Sequence, residues 1–208
     1  MTTDPKTPLT ALALVCTLKP APQESSSELL ASQILAELAK HEVSGTTLRV
    51  VDFDVRPGVL TDMGGGDEWP SIRSRILGAD ILVLVTPTWM GHPASVANQV
   101  LERLDAELSE TDASGRPDVA GKVAIVGVVG NEDGAHQIVA ELFQALNDVG
   151  FTVASQGSTY WNGEAMAKVD YKDLPKTPKS VAAATKMAAA NAAHLAGLLA
   201  ANPFGAKS

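Results

Sequence analysis

A three-layer α/β fold, with a parallel sheet covered by helices on both faces, is predicted by three observations. Five short β-prone runs recur along the chain, at Leu9–Cys16, Thr47–Phe53, Ile81–Val85, Val123–Val129 and Phe151–Ala154. The first, third and fourth are apolar without alternation, the pattern of strands buried on both faces. Segments with apolar residues at helical spacing separate the runs, which is how parallel strands are connected.

Each element has its own signal. Leu9–Cys16 follows Lys6 and loosely imitates an export signal, with Ala13–Cys16 faintly like a lipoprotein site. It is short, follows Asp4 and two prolines, and runs into Lys19-Pro20 without a small-residue cleavage site, so a buried first strand and a cytoplasmic protein are expected. Glu28–His41 carries Leu30, Ile34 and Leu38 four apart with Leu35 beside them, a helical stripe. Thr47–Phe53 is β-branched and apolar, the second strand. Asp67–Leu77 reads as a short helix, with Pro70 in its first turn and Gly78 as its stop. Ile81–Val85 is the clearest strand. After Pro93 comes a helix bearing Val96, Val100, Leu101 and Leu104. Val123–Val129 is the fourth strand. Ile138, Val139, Leu142, Phe143, Leu146 and Val149 mark an amphipathic helix ended by Gly150. Phe151–Ala154 is the fifth strand, and an alanine-rich helix starts near Pro178 with Thr177 as its expected N-cap.

With 208 residues, 45% of them hydrophobic, one domain can build a core without disulfide or metal staples. The expected division is a tail at 1–8, a domain at 9–201 and a tail at 202–208. Sixteen Lys and Arg stand against 24 Asp and Glu, a net charge of −8. No basic run is present, which argues against nucleic-acid partners and a basic amphipathic membrane anchor. No apolar run is long enough to span a bilayer. One cysteine excludes an internal disulfide and disfavours thiolate-ligated metal. Cys16 has no histidine partner in sequence and reads as a small buried hydrophobe.

In such sheets ligands bind beyond the carboxyl ends of the strands, so the loops there are where chemistry is expected. The first runs Thr17-Leu-Lys19 to Ser25-Ser26-Ser27 and has neither a glycine-rich dinucleotide fingerprint nor a Walker lysine. It places hydroxyls at a helix N-terminus, where backbone N–H groups and the dipole favour an anion. A plain serine N-cap explains the same residues. The loop after the third strand, Thr86-Pro87-Thr88-Trp89-Met90-Gly91-His92-Pro93, is a stiff turn with large side chains, suited to a planar heteroaromatic ring or to a subunit interface. The loop after the fourth strand, Gly130-Asn131-Glu132-Asp133-Gly134-Ala135-His136, lets backbone approach a ligand closely. It is equally an ordinary strand-to-helix turn capped by Asp133. His92 and His136 are expected to be structural or solvent-facing. Aromatics are only 4% of the chain, so Trp69, Trp89, Tyr160 and Trp161, all expected at this edge, suggest a flat ligand.

Thr17-Leu-Lys19 with Ser25–Ser27, Pro87–Gly91 with Pro93, and Gly130–His136 together make the sequence resemble flavodoxin-fold flavoproteins of the NADPH-dependent FMN reductase type, which are also similar to NAD(P)H:quinone reductases. The likeness runs from about Leu9 to Trp161. It implies a flavodoxin-like α/β/α sandwich with a five-stranded parallel sheet in the order 2-1-3-4-5. It also implies FMN, its phosphate held by Thr17, Lys19, Ser25, Ser26 and Ser27. The ring would lie against Pro87, Thr88, Trp89, Met90, Gly91, Gly130, Asn131 and Gly134, with Tyr160 nearby. Lys19 stands where such proteins often carry arginine, and the first loop is long, proline-rich and acidic at Glu24. The four-cysteine motif of iron–sulfur relatives is absent.

The function implied is electron transfer from NAD(P)H as co-substrate, through FMN, to a quinone, a flavin or a similar small acceptor. The protein's share is positioning and exclusion of water, so no acid–base residue is demanded. The resemblance also implies a homodimer or homotetramer, with Trp89, Tyr160 or Trp161 near a neighbour. Two rivals remain at this point: an electron-carrying flavodoxin, for which the acidic charge suits basic partners, and a regulatory module of this fold without turnover.

Overall fold

The computed structural model describes residues 8–165 and 167–204, so most of both expected tails lies outside the described residues. Five parallel strands form the sheet: β1 (Thr10–Val15), β2 (Ser44–Arg49), β3 (Ile81–Trp89), β5 (Val123–Gly130) and β6 (Thr152–Asn162). Their order is β2-β1-β3-β5-β6, and the two-residue β4 (His92–Pro93) folds back antiparallel on the end of β3. The fold is flavodoxin-like, with the short β4 added to the expected five strands.

The helices are α1 (Ser26–Ala39), α2 (Trp69–Leu77), α3 (Ser95–Leu104), α4 (Ala135–Asp148) and α5 (Lys179–Ala201). Alternation along each strand divides the core in two. Leu12 and Leu14 pack with α2, α3 and α4 through Ile72, Val100 and Leu142. Ala11, Ala13 and Val15 pack on the other face with α1 and α5 through Leu30, Ile34 and Ala189. Alanines at 188, 189, 192 and 196 let the long α5 lie close against that face. No helix among the described residues is long and apolar enough to cross a membrane.

Four expectations need correction. β2 starts at Ser44 and stops at Arg49, with Val50–Asp52 wound into a 3-10 turn. It is an edge strand whose first four residues are exposed, so it has no long apolar run to mark it. The last strand continues eight residues beyond Ala154, to Asn162. Its pairing jumps from Ala124–Val153 to Val126–Ser158, a bulge that breaks the apolar pattern. The N-cap of α5 is Pro178, without a side-chain hydrogen bond; the Thr177 hydroxyl instead accepts from Gln33 Nε2 at 3.0 Å. Asp133 does not cap α4, whose N-cap is Gly134.

Candidate functional site

A cleft opens at the carboxyl edge, between the loops after β1, β3 and β5. It lies where β1 and β3 send their connections to opposite faces, the position favoured for ligands in such sheets.

The first wall is the start of α1. Ser25 is its N-cap, and the Ser25 hydroxyl accepts from the Glu28 N–H at 3.4 Å. The amides of Ser26 and Ser27 have no intrahelical acceptor, because a helix cannot supply one in its first turn. Thr17, Lys19, Ser25, Ser26 and Ser27 all line the cleft. Thr17 Oγ1 accepts from the Lys19 N–H at 3.2 Å. Arg49, buried at the end of β2, holds this wall from behind. It grips Glu28 through Nε at 3.0 Å and Nη2 at 2.5 Å, and its Nη1 donates to the Lys19 carbonyl at 3.1 Å. The guanidinium thereby offsets a carboxylate in the first turn of α1. The Glu28 hydrogen bond pushes the Arg49 pKa further up than burial pulls it down.

The second wall comes from β3 and β5. Pro87, Thr88, Trp89, Gly130 and Asn131 line it. Thr88 is buried, and its hydroxyl has no hydrogen-bond partner among the described residues. A Cβ on Gly130 would stand 2.6 Å from Thr88 Cβ, so glycine is needed for the two strand ends to meet there. Met90 and Gly91 sit at the turn into β4, outside the cleft lining, with Met90 87% exposed. The Met90 N–H donates to Glu132 Oε1 at 2.8 Å. Gly134 is also off the lining; it packs against the Gly91 backbone and keeps the two loops together.

Tyr160 and Trp161 are on β6, not in a loop after it, and consecutive strand residues face opposite ways. Trp161 lines the cleft on the α1 side, whereas Tyr160 packs toward α4 and shares a 2.7 Å hydrogen bond with His136 Nε2. Trp69 does not line the cleft: it is fully buried in the core, with the Arg103 guanidinium 5.5 Å from its ring. Cys16 is fully buried, and burial pushes its thiol pKa up.

A third wall was not legible in the sequence. The connection from β6 to α5 brings Asp170 and Tyr171 into the cleft. The Lys172 N–H donates to Ser26 Oγ at 3.2 Å, the Tyr171 hydroxyl donates to Gln33 Oε1 at 2.6 Å, and Asn131 Nδ2 donates to Asp170 Oδ1 at 3.5 Å. This strap thus ties α1 to the β5 loop. Trp161 and Tyr171 pack with ring centroids 5.6 Å apart. The cleft thus carries hydroxyls and first-turn amides at α1, the Trp89 indole on the β3 wall, and the Trp161 indole packed on Tyr171 of the strap.

Over 169 residues the chain is 36% identical to part of the divalent metal cation transporter MntH of Mycobacterium bovis, covering 79% of this chain and 25% of that protein. The chain thus spans about a quarter of that relative's length. It is 29% identical to the 8-demethyl-8-aminoriboflavin-5'-phosphate synthase of Streptomyces davaonensis, covering 94% of this chain and 80% of that protein. Among solved structures it matches RosB with its bound intermediate 8-demethyl-8-formylriboflavin-5'-phosphate, with a TM-score of 0.85 and 28% identity, over 94% of this chain and 82% of that one. It shares its fold with an NADH:FMN oxidoreductase, at a TM-score of 0.64 and 17% identity over 94% and 92% of the two chains. Residues 9–165 match the NADPH-dependent FMN reductase model, and on that match the chain belongs to the NADPH-dependent FMN reductase family.

Proposed function

We propose that this protein is an FMN-dependent oxidoreductase that passes electrons from NAD(P)H to a quinone, a free flavin or a similar small acceptor. The observation that carries the reading is one cleft that joins hydroxyls and first-turn amides at α1 to the indoles of Trp89 and Trp161 and an unpartnered Thr88 hydroxyl. Bound FMN supplies a ring that accepts hydride from the nicotinamide and returns the electrons to the acceptor. Thr17, Lys19 and Ser25–Ser27 would hold its phosphate, several donors acting together because each helix-dipole interaction gives only about 0.3–1 kcal/mol. Pro87, Thr88, Trp89, Gly130, Asn131 and Trp161 would bound the ring and exclude water, with Tyr171 closing the strap side.

Arg49 supports the phosphate end without touching it. Arg49→Met is expected to weaken FMN binding roughly tenfold, as a hydrogen-bonded charge pair is lost and Glu28 is left uncompensated near the phosphate. Adding Glu28→Gln should recover most of that loss in a fluorescence titration. A double variant as weak as the single one would show that Arg49 does not act through the Glu28 charge.

A second reading is favoured by the closer structural match to RosB, 0.85 against 0.64 for the NADH:FMN oxidoreductase. In it, riboflavin 5'-phosphate is a substrate altered at its 8-position rather than a resident cofactor. One preparation separates the readings. Yellow protein that releases unmodified FMN on heating and oxidises NAD(P)H steadily with a quinone supports the reductase. Slow flavin reduction without turnover points to a carrier, and a released flavin of changed mass supports the second reading. Protein that takes up no FMN even when it is supplied overturns all of them.

A further inference from the structure

We infer that Asp170 recognises the hydroxylated ribityl chain of the flavin, through hydrogen bonds that the chain's hydroxyls donate to its carboxylate. The inference deepens the FMN reading and rests on it. Asp170 lines the same cleft as Ser26 and Trp89, although it arrives from the connection between β6 and α5. Its hydrogen bond from Asn131 Nδ2, at 3.5 Å, lies at the edge of bonding distance. An ionised carboxylate offers about four acceptor positions and no donor, so the side chain has capacity to spare and can take only hydroxyl or N–H partners. A phosphate beside it would be repelled.

Position selects among the donors a flavin carries. Two residues on, the Lys172 N–H bonds Ser26 Oγ at the α1 N-terminus. Two residues of chain span no more than about 7 Å, so Asp170 sits close to the anion-favouring end without being part of it. The segment of FMN next to its phosphate is the ribityl chain with its three hydroxyls, while the ring N–H lies at the far end of the molecule. Tyr171 and Lys172, fastened to Gln33 and Ser26, fix the backbone that presents the carboxylate. The sign of the site therefore changes along its length: donors for the phosphate, then an acceptor for the polyol.

Three ligands test this with one variant. FMN, riboflavin, which lacks the phosphate, and lumiflavin, which keeps the ring N–H but lacks the ribityl chain, are titrated against wild-type protein and Asp170→Ala by flavin fluorescence. The expected result is a loss of about tenfold or more for both FMN and riboflavin, the size of a hydrogen bond to a charged group, with lumiflavin unchanged. An equal loss for all three ligands overturns the inference, since it would place Asp170 in the framework or on the ring N–H. So does a variant that binds FMN as well as wild type. Asp170→Asn, of nearly the same shape, is run beside it and is read by the same pattern if the alanine variant does not fold. Wild-type protein that binds none of the three overturns the FMN reading itself, whereas failure of the pattern with wild-type binding intact overturns only the role of Asp170.

Discussion

Arg103→Met is expected to lower the melting temperature by roughly 6–20 °C, the consequence of losing about 3–5 kcal/mol when one member of a buried ion pair is removed. The side chains of Arg103 and Asp67 are both fully buried and meet at 2.8 Å. Arg103 Nη1 also donates to the Arg56 carbonyl at 2.8 Å and Nη2 to the Leu60 carbonyl at 2.7 Å, so one guanidinium gathers the loop between β2 and α2. Methionine matches its bulk but leaves the Asp67 carboxylate and two carbonyls without their donor. Desolvation pushes the Asp67 carboxyl up, yet the amides of Met63, Arg56 and Trp69 and the Arg103 guanidinium outweigh it and hold its pKa at about 2. Because the folded value lies below the unfolded one near 3.9, this contribution is present above about pH 4 and disappears as the pH falls through about 2. Urea unfolding of wild type and Asp67→Asn at stepped pH checks it. Their stability gap should be widest at neutral pH and close in acid; a gap that stays constant would show that Asp67 ionisation does not matter.

Gly134→Ala is expected to strip the protein of flavin while leaving the sheet folded. Gly134 has φ +131, a conformation that residues with a Cβ rarely adopt, and its added Cβ would stand 2.7 Å from Gly91 Cα and 2.8 Å from the Gly91 carbonyl oxygen. Both obstacles are backbone and cannot swing aside. Backbone strain of about 1–3 kcal/mol must be relieved by parting the β5–α4 loop from the turn at Met90, whose N–H is anchored on Glu132. That parting moves one wall of the cleft, so FMN affinity should fall roughly ten- to a hundredfold. Flavin fluorescence titration measures the loss, and far-ultraviolet circular dichroism verifies the fold. Binding unchanged from wild type would mean that the contact between the two loops is irrelevant to the cleft.

The parts of this fold that could be read from sequence are those where burial is two-sided. Ile81–Val85 is covered by helices on both faces, so every side chain must be apolar, and the run announces itself. β2 is an edge strand with exposed residues at 44–47, and nothing in composition marks where it starts. The walls formed by Ser25–Ser27 and by Pro87–Trp89 are legible because the first is a run of hydroxyls that opens a helix in the connection after β1, and the second sets a proline and a tryptophan at the end of the clearest strand. Asp170 and Tyr171 lie well past Ala154, in the connection after β6, and have no periodicity; only the strap's attachment to Gln33 and Ser26 brings them in. Trp69 misleads for the complementary reason. A tryptophan near a sheet edge looks available for a ligand until Arg103, 34 residues later in the chain, is seen lying over it.

Between Ala124 and Val126 the β5 strand advances two positions, while β6 advances five, from Val153 to Ser158, leaving three surplus residues in the bulge. Side chains of a strand alternate with a period of two, so an odd surplus inverts which of Tyr160 and Trp161 meets the cleft. The identity of this aromatic wall is thus set by register: with Val128 paired to Tyr160 and Val129 to Trp161, the indole faces the cleft and the phenol faces α4.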